Sequence, residues 1–443
     1  MSTRMPLLLD DPVLRQLIDA NSRTSEKLAR ELRTGGVDPA TLPAFTILKL
    51  DRNEQSDAAE SIEGLISSLA SDDDVIVRSA ATEMHRLLAD QSVSGADPRR
   101  LAFIIGESLF RERTLPSAAR VTGVLKSESR EPSSVVWIED GFVRLRHRSL
   151  GEACAAAWYV DRAYQRDMSI VGLDVPSDLV RRLAFVQSPV TPASISDQAR
   201  VDIWTGPGIV GPAHEATVRS LGSPVQLAAK SATVVEYLDF LRAIGTDPGQ
   251  WLPSGAPHVG VLQPLVERMP NGRVSDPAQG ALPMTTVSWW GATAYSAWVG
   301  GRLPTSLEWE LAARGADGRM FPWGDHATRD TANCADHWAD DDLIGYEAWK
   351  ARMDQGSIPT GGVSQAGMFP HSTSACGAVD MGGNHWEWTS TTLPSGRAVI
   401  AGGSYDNPLR ALRASTRGYY SLGGRSNAVG FRVAFDGMSS SGG

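Results

Sequence analysis

The sequence predicts an α+β protein, a mainly helical and winged-helix-like N-terminal region followed by a larger domain of short helices, strands and long loops. Three observations carry that prediction. Apolar residues recur at helical spacing through the first 195 residues, and one Asp-Gly hairpin signal near 135–147 interrupts them. Thirteen tryptophans, eleven of them after residue 200, mark a change of character near the middle of the 443-residue chain. A chain of this length has room for roughly two or three domains with ample core.

Taken in order, Val13, Leu14, Leu17 and Ile18 fit one helix face, and Ile62, Leu65, Ile66 and Leu69 fit a second. Val75, Val77, Met84, Leu87 and Leu88 fit a third, since side chains three and four apart share a face. Ser56 or Asp57 can cap the second helix, and Asp72, Asp73 and Asp74 mark a turn before the third. Leu101–Phe110 is a further apolar helix. The run VVWIEDGFVRLRH then places Asp140-Gly141 between two β-rich segments, the pattern of a two-residue hairpin. It leads into an Ala-rich helix in which Ser149 and Glu152 have capping-box spacing.

These elements define a domain over 1–195, a Gly- and Pro-containing linker over 196–207, a second domain over 208–437 and a disordered tail over 438–443. In the second domain, helices are expected at Ala232–Ile244, Ser288–Val299 and Ser306–Arg314, the last opened by a Thr305/Glu308 capping box and closed at Gly315. From Asp317 to about Asp380, long loops are expected.

Composition excludes several classes. A net charge of -9 argues against a nucleic-acid or anionic-membrane surface. No apolar run reaches the ~20 residues of a membrane helix, and the opening MSTRMPLLLDD does not read as a signal peptide. Cys154, Cys334 and Cys376 are far apart and form no CxxC pair, so no disulfide framework is expected and a cytoplasmic location is the default. There is no GxxxxGK[ST] loop for nucleotide hydrolysis.

The ordered motifs SATVVEYLDFLRAIG, PMTTVSWWGATAYSAWVGGRLPTSLEWELAARG, FPWGD, CGAVDMGGNHWEWTST, AGGSY and VGFRVA resemble the formylglycine-generating enzyme (sulfatase-modifying factor) family. The resemblance covers roughly 208–436 and implies an elaborated C-type lectin fold. It also implies copper held by a cysteine pair six and eleven positions into the GGSY motif; counted from Gly402, those positions are Asn407 and Leu412. Soft monovalent copper prefers thiolates, so neither copper nor the family's oxidase chemistry is expected. A related iron-dependent branch places its ligands on an HxxxHxE run, whereas the N-terminal region here offers only His85 and His147. The resemblance also implies structural calcium, matched by Asp380, Gly383, His385 through its carbonyl, and Glu387. The alternative is that Glu387 pairs with Arg413 or Arg432, with Trp386 and Trp388 in the core and His385 facing out.

The C-terminal pattern GGSY, Arg410, Leu412-Arg413, Arg417 and Gly430-Phe431-Arg432 further resembles the variable proteins of diversity-generating retroelements, which display changing residues on a C-type lectin scaffold. From Tyr405 to Val433 there is no Lys, Glu, Gln, Met or Trp, consistent with residues reached by altering adenines in AAC-type codons. In this reading Gly402, Gly403, Gly430, Phe431 and the four arginines are scaffold. The binding face is Tyr405, Asp406, Asn407, Ala411, Thr416, Gly418, Tyr419, Tyr420 and Ser421, with Tyr419 and Tyr420 as anchors. Its ligand would be a protein or other macromolecule. Two alternatives stay open: an oxidase or iron enzyme with a relocated metal, and a signalling or defence adaptor. The adaptor reading draws on FVRLRHRSLGEACAAAWYV, which is similar to a segment closing the helical part of NACHT-type signalling NTPases and implies a protein partner for 1–195.

Overall fold

The computed structural model describes residues 55–71, 73–94, 96–97, 99–126, 134–189, 199–245, 251–252, 277–339, 346–357 and 361–437. The expected helix at Val13–Ile18 and the tail 438–443 lie outside the described residues. The chain divides into two compact units, Met1–Tyr159 and Val160–Gly443.

In the first unit, helices α1 (Gln55–Leu69), α2 (Asp74–Asp90) and α3 (Arg100–Glu112) follow the expected periodicity. Helix α2 begins where it does because the Asp73 carboxylate accepts from the amides of Val75 at 2.8 Å and Ile76 at 3.3 Å, satisfying donors that have no partner inside the helix. Its face Val77, Ala81, Met84 and Leu88 is buried, as the spacing requires. Strands β1 (Val136–Glu139) and β2 (Phe142–Leu145) pair with Glu139 opposite Phe142. Asp140 and Gly141 have φ of 53° and 77°, the two positive values a tight hairpin turn needs.

The division between the units falls within helix α4 (Arg148–Tyr164). Its start corrects the expected capping box. Ser149 lies inside the helix, where its amide donates to His147 Nδ1 at 3.2 Å, while Glu152 pairs with Arg148 at 3.1 Å. The imidazole, not a hydroxyl, thus closes this end.

The second unit reaches further back than the linker at 196–207 suggests. Helix α5 (Asp178–Gln187) belongs to it, because buried Arg181 pairs with Asp325 at 3.0 Å and donates to the Gly318 carbonyl at 3.1 Å. The elements that follow include β3 (Arg200–Asp202), β4 (Gly208–Val210), β5 (Thr217–Arg219), β6 (Val225–Ala228), α6 (Val234–Ile244), α7 (Trp289–Trp298) and α8 (Ser306–Arg314). After them come α9 (Ala335–Trp338), α10 (Tyr346–Asp354), β7 (Trp386–Leu393), β8 (Arg397–Ala401), β9 (Arg417–Ser421), β10 (Val429–Gly430) and β11 (Ala434–Asp436). Among the described residues, the stretch after Asp317, expected as loops, therefore contains two short α-helices and a 3-10 turn at Pro370–Ser372.

Helix α8 matches its sequence signals at both ends. Thr305 Oγ1 accepts from the Glu308 amide at 3.1 Å, Glu308 accepts in return from the Thr305 amide at 2.7 Å, and Gly315 takes φ 66°. A four-stranded sheet runs β10-β7-β8-β9, with β10 parallel to β7 and β9 at the edge; a three-stranded sheet runs β11-β6-β3, and β4 pairs with β5. Tyr237 and Phe240 of α6, Tyr295 of α7, Trp388 of β7 and Phe431 form one aromatic core. Trp309 and Leu311 of α8, Leu227, Ala401 and Ala414 form a second. Among the described residues, no helix is long and apolar enough to cross a membrane.

Candidate binding face in the C-terminal segment

The segment after β8 is anchored by backbone that only glycine fits. Gly402 has φ 99°, and a Cβ there would lie 2.9 Å from the Met381 carbonyl; Gly403 has φ 76° against Leu412. The loop that follows is tied to itself. Asn407 Oδ1 accepts from the Ser404 amide at 3.1 Å and from its hydroxyl at 2.8 Å, and the same hydroxyl lies 2.6 Å from Asp406 Oδ1. Other elements hold it from outside: Trp349 Nε1 donates to the Asp406 carbonyl at 2.6 Å, and the Leu409 amide to Asp336 at 2.6 Å.

This geometry sorts the nine expected face residues. Tyr419 is 51% exposed, Ser421 is exposed, and Asp406, Ala411 and Thr416 are half-buried. Tyr405 and Asn407 are buried, so they support the loop and do not display. Gly418 faces Ile400 directly across β8–β9, and a Cβ there would come within 2.8 Å of its side chain; this position accepts no substituent without displacement. Tyr420 packs on the aromatic core, its ring 5.8 Å from Trp388 and its hydroxyl donating to the Arg425 carbonyl at 3.3 Å. The two adjacent tyrosines thus part ways because a strand alternates its faces.

The scaffold arginines divide similarly. Arg410 and Arg413 are exposed, whereas Arg417 is half-buried and Arg432 buried. Arg417 pairs with Glu310 and lies over Trp309, while Arg314 meets Glu310 at 2.7 Å. Arg432 is fully buried and grips Glu387 through two bonds of 2.6 and 2.7 Å, and it also donates to the carbonyls of Ala228, Ala229 and Val379. Burial by itself would raise the Glu387 pKa, yet the Arg432 charge and hydrogen bonds outweigh it and hold the carboxyl below its ordinary value.

Three of the residues matched to calcium, Glu387, Asp380 and Gly383, have protein partners for their oxygens. Both Glu387 oxygens are engaged by Arg432, and Trp309 Nε1 donates to one of them at 2.8 Å. Asp380 accepts from the Gly367 amide at 2.8 Å and the Ser372 hydroxyl at 3.1 Å. The Gly383 carbonyl accepts from the His385 amide at 2.8 Å. His385 does not face out: it is 1% exposed, its Nδ1 is 3.0 Å from the Trp386 carbonyl, and burial lowers its pKa. Among the described residues, no three His, Cys, Asp or Glu side chains cluster so as to hold a metal ion.

Nor do the residues fit copper at the position the family uses. Leu412 is fully buried in an apolar cluster with Phe321, Ala332 and Cys334. The Cys334 thiol sits there with its pKa pushed up to about 12, chiefly by burial, so it is not a thiolate near neutrality. This thiol next to Leu412 was not singled out in the sequence, where nothing links positions 334 and 412.

Residues 197–437 match the sulfatase-modifying factor enzyme 1-like domain. Inactive C-alpha-formylglycine-generating enzyme 2 of Mus musculus is 33% identical over 170 residues, 34% of this chain and 49% of that protein. Formylglycine-generating enzyme of Streptomyces coelicolor is 28% identical over 274 residues, 51% of this chain and 81% of that protein. Treponema denticola variable protein 1 superposes with a TM-score of 0.32 at 16% identity, over 54% of this chain and 95% of that one. The chain thus covers about half the length of the mouse relative. With more than half of its residues inside the matched region, the chain belongs to the sulfatase-modifying factor enzyme 1-like family.

Proposed function

We propose that this chain is a non-catalytic, ligand-binding member of its family. It presents Tyr419 and Ser421 on the edge strand β9, flanked by Asp406, Ala411, Thr416 and the exposed Arg410 and Arg413, to a protein or other macromolecular ligand. The observation that carries the reading is Leu412: an isobutyl group closed into an apolar cluster stands where the family's chemistry calls for a metal-binding thiolate. What remains on the surface is a tyrosine on an edge strand, with exposed polar and cationic residues in the same C-terminal segment, a composition suited to recognition. In its finer form the protein is the variable protein of a diversity-generating retroelement, with variation confined to the exposed positions and excluded from Gly418 and the buried loop ties.

The test is metal content of the purified chain, joined to an assay for oxidation of a cysteine-containing peptide. Sub-stoichiometric copper and iron with no thiol consumed is the expected result. One redox metal per chain, with turnover of the peptide thiol, overturns the reading. For the finer form, the adjoining DNA should carry a near-duplicate of the 3′ end differing at adenines beside a reverse transcriptase; its absence removes the retroelement assignment and leaves the binding one.

A further inference from the structure

A cavity of 840 Å³ opens in the second unit and takes none of its lining from the C-terminal segment. Its volume falls in the roughly 300–1,000 Å³ range of small-molecule sites. Four aromatic rings, Tyr164, Phe185, Trp204 and Trp323, and the His371 imidazole line it. Tyr164 lies 5.5 Å from Trp204 with the rings tilted by 44°, and the Arg166 guanidinium sits over Trp204 at 4.8 Å, so the three side chains adjoin along one side of the cavity. Burial, then the charge of Asp317, pushes the Tyr164 phenol up, so it is neutral at physiological pH.

The charged groups of the lining fall into one closed pair and two open ends. Arg319 and buried Asp317 are joined at 2.8 Å and neutralise each other. Exposed Arg166 hydrogen-bonds the neutral hydroxyl of Thr205 at 2.9 Å. Exposed Asp202, at the end of β3, accepts from the neutral amide of Gln226 at 3.0 Å. Among the described residues neither has an oppositely charged partner within 4.0 Å. A simple anion would satisfy Arg166 and be repelled by Asp202; a simple cation would meet the reverse. A molecule carrying both charges beside an aromatic body meets both open charges and the aromatic lining together.

We propose that this cavity binds a free aromatic amino acid, its ring against the Tyr164–Trp204 wall, its carboxylate on Arg166 and its ammonium on Asp202. The probes are L-tryptophan, L-tyrosine and L-phenylalanine, titrated calorimetrically into the full chain. Tryptamine and indole-3-propionate each lack one charge of L-tryptophan and should bind about tenfold more weakly or worse, a difference of about 1.4 kcal/mol. Arg166→Gln should weaken L-tryptophan about tenfold and leave tryptamine unchanged, whereas Asp202→Asn should spare indole-3-propionate. Both sites are exposed, so folding is not at issue. A second readout is alkylation at mildly alkaline pH of Cys376, which lines the cavity and whose thiol pKa is pushed up by burial, while Cys154 and Cys334 are fully buried; a bound amino acid should slow it. Silence of all three amino acids in both readouts overturns the proposal. So does an analogue that binds as well as L-tryptophan, or a pair of variants that leave its affinity unchanged.

Discussion

Replacing Glu387 with Gln removes one charge from a pair that has no access to water. Arg432 and Glu387 are both fully buried and joined at 2.6 Å, so the substitution leaves a guanidinium inside the protein without its counter-charge. Breaking a buried pair from one side costs about 3–5 kcal/mol, a large fraction of the ~5–15 kcal/mol that stabilises a typical domain. At roughly 2–4 °C per kcal/mol for a domain of this size, the melting temperature of Glu387→Gln should fall by roughly 6–20 °C. Acid adds a second signature. The folded carboxyl has a pKa below its ordinary 4.5, so below about that pH the unfolded chain takes a proton that the folded one refuses. The stabilisation from Glu387 is therefore complete above the unfolded pKa and fades as pH falls through the folded one. Thermal unfolding of both forms across the acid range should show the gap between them narrowing on acidification. A loss below about 0.5 kcal/mol, inside the spread of ordinary surface changes, or a gap independent of pH, would refute the description of Glu387 and Arg432 as a buried, mutually satisfied pair.

Two further substitutions separate display from support along β9. Tyr419→Ala should change stability by about 0.5 kcal/mol or less and reduce ligand capture, while Tyr420→Ala should cost about 2–3 kcal/mol, less than a fully buried aromatic; denaturant midpoints in the reverse order would place the wrong tyrosine outward. Gly418→Val puts methyl groups where Ile400 already lies within 3.0 Å, and overpacking of this kind costs about 1–3 kcal/mol. An unchanged midpoint would show that β9 does not pack on β8 as described.

The local signals were legible because they are settled within a few residues. The Thr305/Glu308 box, the Asp140-Gly141 turn and the Asp73 cap depend on short-range hydrogen bonds and on φ, and the structure forms each of them. The capping box at Ser149 failed for a local reason too: His147, two residues earlier, offers a ring nitrogen that competes for the same amide. The family match begins at 197, beside the composition change after 195, whereas the compact second unit reaches back to Val160 through ties such as Arg181 to Asp325, which span more than a hundred residues and leave no local pattern. The exposure of the nine candidate face residues was half legible. Residue type suggested Tyr, Asn and Gly for display, yet type cannot tell that Asn407 spends its oxygen on Ser404.

The sequence by itself determined the family, through long ordered motifs, and the absence of cysteine at 407 and 412, which is a matter of covalent composition. Only the tertiary structure decided which of two neighbouring tyrosines meets solvent, which arginines are buried, and that Glu387 answers Arg432. Those outcomes rest on strand pairing and on contacts between residues distant in the chain, where burial of an unpaired charge or a steric overlap costs more than any local preference can offset.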